Sequence, residues 1–225
     1  MRVAALYDIH GMLEPLEAVL AELEREDVDA VLIGGDAVAG PQPQETLERL
    51  RSLELPTHWI RGNGERALGP DAGDAVMGGE DAEAALDFTA SQLSEEDRRS
   101  LSQLPETMKL EVDGLGETLF CHASPRNDLD IVTPLTSDER LARILDGVDA
   151  DVVVAGHTHI QDDRRVSGIR WINAGSVGMP YEDSAGAYWA LLGPDVELRR
   201  TEYAAEAPLA SRREAAAYFE SLVRD

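Results

Sequence analysis

The chain has 225 residues, with 20 basic against 44 acidic side chains, a formal net charge of −24 and a pI near 4.4. That length suits one domain spanning residues 1–225, and so acidic a surface repels duplex nucleic acid and anionic membranes while still admitting a small phosphorylated substrate to a locally positive cleft. A single cysteine, Cys121, excludes an internal disulfide, and with no long apolar segment the expected location is the cytoplasm.

Residues 2–7 read as a buried strand, followed by a helix from Leu13 to about Arg25 with Leu16, Val19, Leu20 and Leu23 at helical spacing. The run Ala30 to Ile33 stops at Gly34-Gly35-Asp36, and Leu47, Leu50 and Leu53 mark a second amphipathic helix. A short third strand, His58 to Ile60, runs into Arg61-Gly62-Asn63-Gly64-Glu65. This alternation predicts parallel strands joined by helical crossovers. Residues 67–82, rich in Gly, Ala and Asp, read as a surface loop, followed by helices at about 82–93 and 95–103.

Strands are then expected at Lys109 to Val112 and Thr118 to Cys121, a helix at about 137–146, and a buried strand from Asp151 to Ala155. Further strands lie near 164–166, 169–173, 186–193 and 195–202, and a last helix at about 208–223 is expected to bury Leu209, Ala216, Tyr218 or Phe219, and Leu222. The strand-rich second half predicts a second sheet packed on the parallel one.

Five of these runs end at potential ligands: Asp8 and His10, Asp36, Asn63, His122, then His157 and His159. In open α/β sheets the carboxyl ends of strands border the ligand crevice, so these side chains should converge. Four of the five histidines take part. Imidazole, carboxylate and amide donors suit Mn²⁺, Fe²⁺, Ni²⁺ or Zn²⁺, with manganese favoured. Seven donors exceed the need of one catalytic ion and fit two divalent ions sharing a carboxylate.

Asp8-x-His10, Gly35-Asp36, Gly62-Asn63, His122 and Gly156-His157-Thr158-His159 together resemble the calcineurin-like metallophosphoesterase family in order and spacing. The segment Asn173-Ala174-Gly175-Ser176-Val177-Gly178 is similar to its small bacterial and archaeal branch, which includes YfcE-like phosphodiesterases. The resemblance implies a four-layer α/β sandwich of two mixed sheets flanked by helices. It also implies one metal on Asp8, His10, Asp36 and His159, a second on Asp36, Asn63, His122 and His157, with Asp36 bridging, and phosphoester hydrolysis by a metal-bound hydroxide.

Many members carry Gly-Asn-His, whose histidine protonates the leaving group, where this chain has Gly64. That departure favours phosphodiesters or activated esters over alkyl monoesters, since general acid help is worth about 10²–10⁴-fold. The catalytic candidates are Asp36, Asn63 and Arg126, with Asn63 and the planar fork of Arg126 as phosphate-binding candidates. Arg61 and Arg66 have weaker claims, His58 reads as structural, Glu65 as a residue that orients a neighbour, and Gly175 to Gly178 as a tight turn reaching the crevice. The alternatives are a non-catalytic scaffold of the same fold, as in a retromer subunit, and a phosphomonoesterase or protein phosphatase.

Overall fold

In the computed structural model, the residues described are 1–70, 72–73, 75, 80–204 and 208–223, with backbone alone at 80 and 81. The elements in order are β1 (Val3–Leu6), α1 (Leu13–Leu23), β2 (Ala30–Ile33), α2 (Pro43–Arg51), β3 (Thr57–Trp59), α3 (Asn63–Ala67), α4 (Glu80–Gln92) and α5 (Glu95–Ser102). They continue with β4 (Thr107–Val112), β5 (Gly116–Cys121), α6 (Asp138–Ile144), β6 (Val152–Ala155), β7 (Asp162–Val166), β8 (Ile169–Asn173), β9 (Ala187–Leu192), β10 (Val196–Thr201) and α7 (Arg212–Leu222).

Two five-stranded sheets result, ordered β10-β9-β1-β2-β3 and β4-β5-β6-β8-β7. β1, β2 and β3 run parallel, as do β5, β6 and β8, and the outer strands β9, β10, β4 and β7 add antiparallel pairs. Each sheet is therefore mixed, and together they form the expected four-layer α/β sandwich. Period-two alternation assigns the faces. Val3, Ala5 and Tyr7 meet Phe120, Val152, Val154 and Ile172 between the sheets. Ala4 and Leu6 point the other way into the layer with Leu16, Val19, Leu20 and Leu23 of α1. On the far side Val153, Ala155 and Trp171 pack with Leu141 and Ile144 of α6. Strands buried on both faces explain the unbroken apolar runs.

The last strands differ from a simple second sheet, because β9 returns to the first sheet and pairs antiparallel with β1, Ala4 opposite Leu191. The C-terminal helix also departs from expectation. It starts at Arg212, because the Ser211 side chain caps it by accepting the backbone N–H of Glu214. Leu209, Tyr218 and Leu222 are 60%, 61% and 41% exposed. Ala215 and Ala216 are buried instead against Ile160, with Phe219 partly buried against them. Small side chains let this helix lie close to its neighbour, which turns the larger ones outward. Of the stretch 67–82, expected as a surface loop, residues 71, 74 and 76–79 lie outside the described residues. Within it, Ala75 is fully buried.

The inter-sheet layer is tight where β1 and β2 end. The Tyr7 hydroxyl donates to the Val154 carbonyl at 3.0 Å across the layer, and a Cβ on Gly34 would lie 2.2 Å from the Tyr7 ring. Gly34→Ala should lower the unfolding free energy by about 1–3 kcal/mol in urea titration. In a Tyr7→Leu background the added loss should be smaller, the coupling that a shared contact produces.

Candidate metal centre

The loops after β1 and β2 continue the parallel ladder beyond the strands: Gly34 N–H donates to Leu6 O at 2.8 Å, Asp8 N–H to Gly35 O at 3.1 Å and His10 N–H to Asp36 O at 2.9 Å. This register puts Asp8 and Asp36 side by side. From the second sheet, Gly156 N–H donates to His122 O at 2.8 Å, which holds the loops after β5 and β6 together. All seven predicted donors are thereby gathered at one place where the two sheets' strand ends meet.

Three imidazoles are fixed from behind. His10 Nδ1 lies 3.0 Å from Ala39 O, His122 Nδ1 3.0 Å from Gly34 O, and His159 Nδ1 2.7 Å from Met179 O. A carbonyl oxygen only accepts, so each Nδ1 carries a proton and each neutral ring presents its Nε2 lone pair to the centre. His10 Nε2 and His159 Nε2 face each other at 3.1 Å. Asn63 Nδ2 donates to Ala75 O at 2.9 Å, so its Oδ1 faces His122 Nε2 at 3.1 Å, acceptor to acceptor when the ring is neutral. Asp8 Oδ1 and His157 Nε2 are buried without a hydrogen-bond partner among the described residues. Converging lone pairs of this kind are stabilised by a positive charge between them and repel one another without it.

The carboxylates lie close to these imidazole nitrogens. Asp8 Oδ1 is 3.4 Å from His159 Nε2, and 3.9 Å from both His10 Nε2 and His122 Nε2. Asp36 divides its oxygens, Oδ2 at 4.0 Å from His10 Nε2 and Oδ1 at 3.7 Å from His122 Nε2. Asp8, His10 and His159 form one compact candidate group, and Asp8, Asp36 and His122 a second. His157 joins through its backbone N–H, which donates to Asp8 Oδ2 at 2.8 Å, and its ring centroid is 5.1 Å from that of His122.

Titration reflects the same field. Burial would raise the Asp8 carboxyl, but His159, His122 and His10 outweigh it and hold it well below the usual carboxylate range. Burial pulls His122 and His159 down, yet the Asp8 and Asp36 charges win and raise both. His157 is lowered to about 4, by burial and then by the His122 charge. A negative potential that favours imidazolium also favours a bound cation.

The backbone is strained at these positions. Of the six non-glycine residues with positive φ among those described, five are donors: Asp8 (51°), His10 (52°), Asp36 (50°), His157 (65°) and His159 (58°). Each left-handed residue costs about 1–2 kcal/mol. Bracing comes from the segment after β8: Ser176 Oγ donates to Asp8 O at 2.7 Å, and Gly178 N–H to the same oxygen at 3.1 Å. A Cβ on Gly178 would lie 2.0 Å from Ile9 O, so this turn approaches as closely as only glycine allows. Glu65 braces the other side, its buried carboxylate accepting the N–H groups of Asp36 (2.7 Å), Ala37 (2.8 Å) and Gly62 (2.9 Å).

The remaining candidates lie apart from the donors. Arg126 is half-exposed, ion-paired with Asp130 at 3.2 Å, and lines a neighbouring depression rather than the cleft above the donors. Arg66 holds Asp128 through two nitrogens, at 2.7 and 2.9 Å. Arg61 bonds Ser102 O at 2.9 Å and Glu106 at 2.7 Å. His58 sits in β3 opposite Leu32. Gly64 does line the cleft, but its N–H donates to Asp36 Oδ1 at 2.7 Å and a Cβ there would stand 2.8 Å from that oxygen. A histidine at position 64 would therefore have to displace Asp36. Sequence reasoning missed Tyr181, stacked on His159 with ring centroids 5.2 Å apart, and Phe219, which α7 brings to the cleft. Neither belongs to a spaced motif.

A family model of the calcineurin-like phosphoesterase superfamily domain matches residues 1–193. The chain belongs to that superfamily. Among solved structures, a hypothetical protein from Pyrococcus horikoshii OT3 superposes with a TM-score of 0.79 at 24% identity, covering 99% of this chain and 94% of the other. A metallophosphoesterase from Sphaerobacter thermophilus gives 0.70 at 29% identity, covering 90% and 89%. The phosphoesterase Yfce from E. coli gives 0.52 at 20% identity, covering 85% and 87%, a likeness of fold. Superfamily members are metal-dependent, and the donor chemistry of this phosphoesterase fits that requirement. Among the described residues no helix is long and apolar enough to cross a membrane.

Glu65→Gln would turn an amide NH₂ toward backbone donors that now share a carboxylate. The variant should lose about 1–3 kcal/mol of stability, read in urea. Its Mn²⁺ affinity should fall by about 10–100-fold in calorimetric titration, as Asp36 loses its backbone anchor.

Proposed function

We propose that this phosphoesterase is a dinuclear metal-dependent phosphodiesterase. The observation that carries the reading is the pair of close contacts, His10 with His159 and His122 with Asn63, each 3.1 Å across, which set acceptor against acceptor when the rings are neutral, as metal binding requires. Asp8, His10, Asp36 and His159 would hold one cation, and Asp36, Asn63, His122 and His157 the other. Asp36 is the bridge in this reading because its two oxygens face different imidazole sets. Two such ions would neutralise phosphoryl oxygens and lower the pKa of bound water, and manganese is the metal proposed for them.

The chain's own part is positional. The carbonyls of Ala39, Gly34 and Met179 lock the imidazoles, Glu65 fixes the Asp36 backbone, and the amide of Asn63 is oriented by Ala75. In the net reaction the oxygen of water joins phosphorus, the ester P–O bond breaks, and the departing alcohol takes one proton from water. Gly64 offers no acid for that proton, which favours good leaving groups. Diesters are favoured over dianionic monoesters because the described residues lining the cleft include no arginine or lysine.

Metal analysis after loading with Mn²⁺ should give about two ions per chain, the count expected of paired-ion hydrolytic sites. The loaded protein should hydrolyse bis-p-nitrophenyl phosphate faster than p-nitrophenyl phosphate. Loading near zero under saturating Mn²⁺ would remove the basis of the proposal.

Asp36→Asn should reduce kcat more than His159→Ala, because it affects both ions at once. Turnover near wild type in Asp36→Asn, with metal content measured alongside, would sink the bridging assignment.

A further inference from the structure

The metal donors occupy one end of a cleft of about 320 Å³. Its remaining wall is apolar: Ala67 of α3, Ala85 and Leu86 of α4, Met179, Tyr181, and Phe219 of α7. The aromatic part is continuous with the donors, since Tyr181 lies nearly parallel to the His159 ring (11°) and Phe219 tilts against Tyr181 with centroids 5.8 Å apart. No lysine or arginine is among the described residues that line the cleft. Arg66 and Arg126 are engaged with Asp128 and Asp130. On α4, Glu83 and Asp87 flank the lining residues Ala85 and Leu86 and are themselves exposed.

Beyond the donors, a substituent bearing a second phosphate or a carboxylate would meet no cationic side chain among the described lining residues, in a chain of formal net charge −24. A flat uncharged ring would instead leave water for an aliphatic and aromatic wall. We infer that one ester substituent of the substrate is an uncharged aromatic group seated between α4 and α7. The substrate class is then a monoanionic aryl phosphodiester, and neither a nucleoside polyphosphate nor a phosphoprotein. This rests on the phosphodiesterase reading above.

The test keeps the leaving group constant. The Mn²⁺-loaded full chain is assayed with phenyl p-nitrophenyl phosphate and methyl p-nitrophenyl phosphate, each kcat/KM normalised to the ester's hydroxide-catalysed rate. Binding of phenylphosphonate and methylphosphonate is measured in parallel by calorimetry. The phenyl member of each pair should be favoured about tenfold or more, as burial of an aromatic ring implies. Leu86→Ala and Phe219→Ala, one on α4 and one on α7 and each checked for folding by circular dichroism, should each pull the phenyl-to-methyl ratio toward one. Equal kcat/KM for both esters in the wild type, or a ratio that neither folded variant changes, overturns the inference and leaves the phosphodiesterase reading standing. Hydrolysis of neither ester with two ions bound overturns that reading. The phosphonates then decide the aryl seat alone: tighter phenylphosphonate binding supports it and equal binding overturns it.

Discussion

The parallel register of β1 and β2 is the constraint on which this structure depends. Leu6 pairs with Ile33, and the ladder runs on through Gly34, Asp8 and His10 after both strands have ended. Because the hydrogen bonds continue, two acidic side chains from different loops are held together with little exposure to water. A slip of one residue would move Asp8 away from Asp36 and turn Ala4 and Leu6 from the helix layer toward the other sheet.

That closeness raises the energy of the unliganded chain. Two carboxylates, several lone pairs and five left-handed residues are concentrated at one spot, each unfavourable when considered alone. Their persistence requires that the surroundings over-determine them. Backbone carbonyls behind three histidines, the carboxylate of Glu65 behind Asp36, and the Ser176 hydroxyl and Gly178 amide on the Asp8 carbonyl supply that determination. A bound cation would remove the electrostatic part of the cost, so affinity for metal and tension in the protein are two aspects of one arrangement.

Charge is distributed with the same economy. The protein is strongly acidic overall, its arginines near the site are engaged with acidic partners, and the cleft wall beyond the donors is apolar. In the proposed reading, positive charge for a phosphoryl group is therefore left to the metal centre, while the apolar wall meets what the phosphorus carries.

Much of this was legible in the sequence. Apolar runs ending at Asp8, Asp36, Asn63, His122 and His157 stated the parallel core and the convergence of these side chains, because strands buried on both faces must be continuously hydrophobic and their carboxyl ends must meet at the crevice. The role of Glu65 as an orienting group was legible too, three residues into the loop that carries Asn63 and Gly64. Tertiary structure alone decided the return of β9 to the side of β1, since an antiparallel strand reads the same whichever sheet it joins. It alone decided that α7 buries Ala215 and Ala216 and brings Phe219 to the cleft while leaving Leu209, Tyr218 and Leu222 exposed, because helical spacing names a face but not the neighbour it meets. The pairing of Arg126 with Asp130 and the packing of Gly64 against Asp36 also came only from the fold. A motif fixes which groups are present, whereas the contacts between segments far apart in the chain fix what each group is free to do.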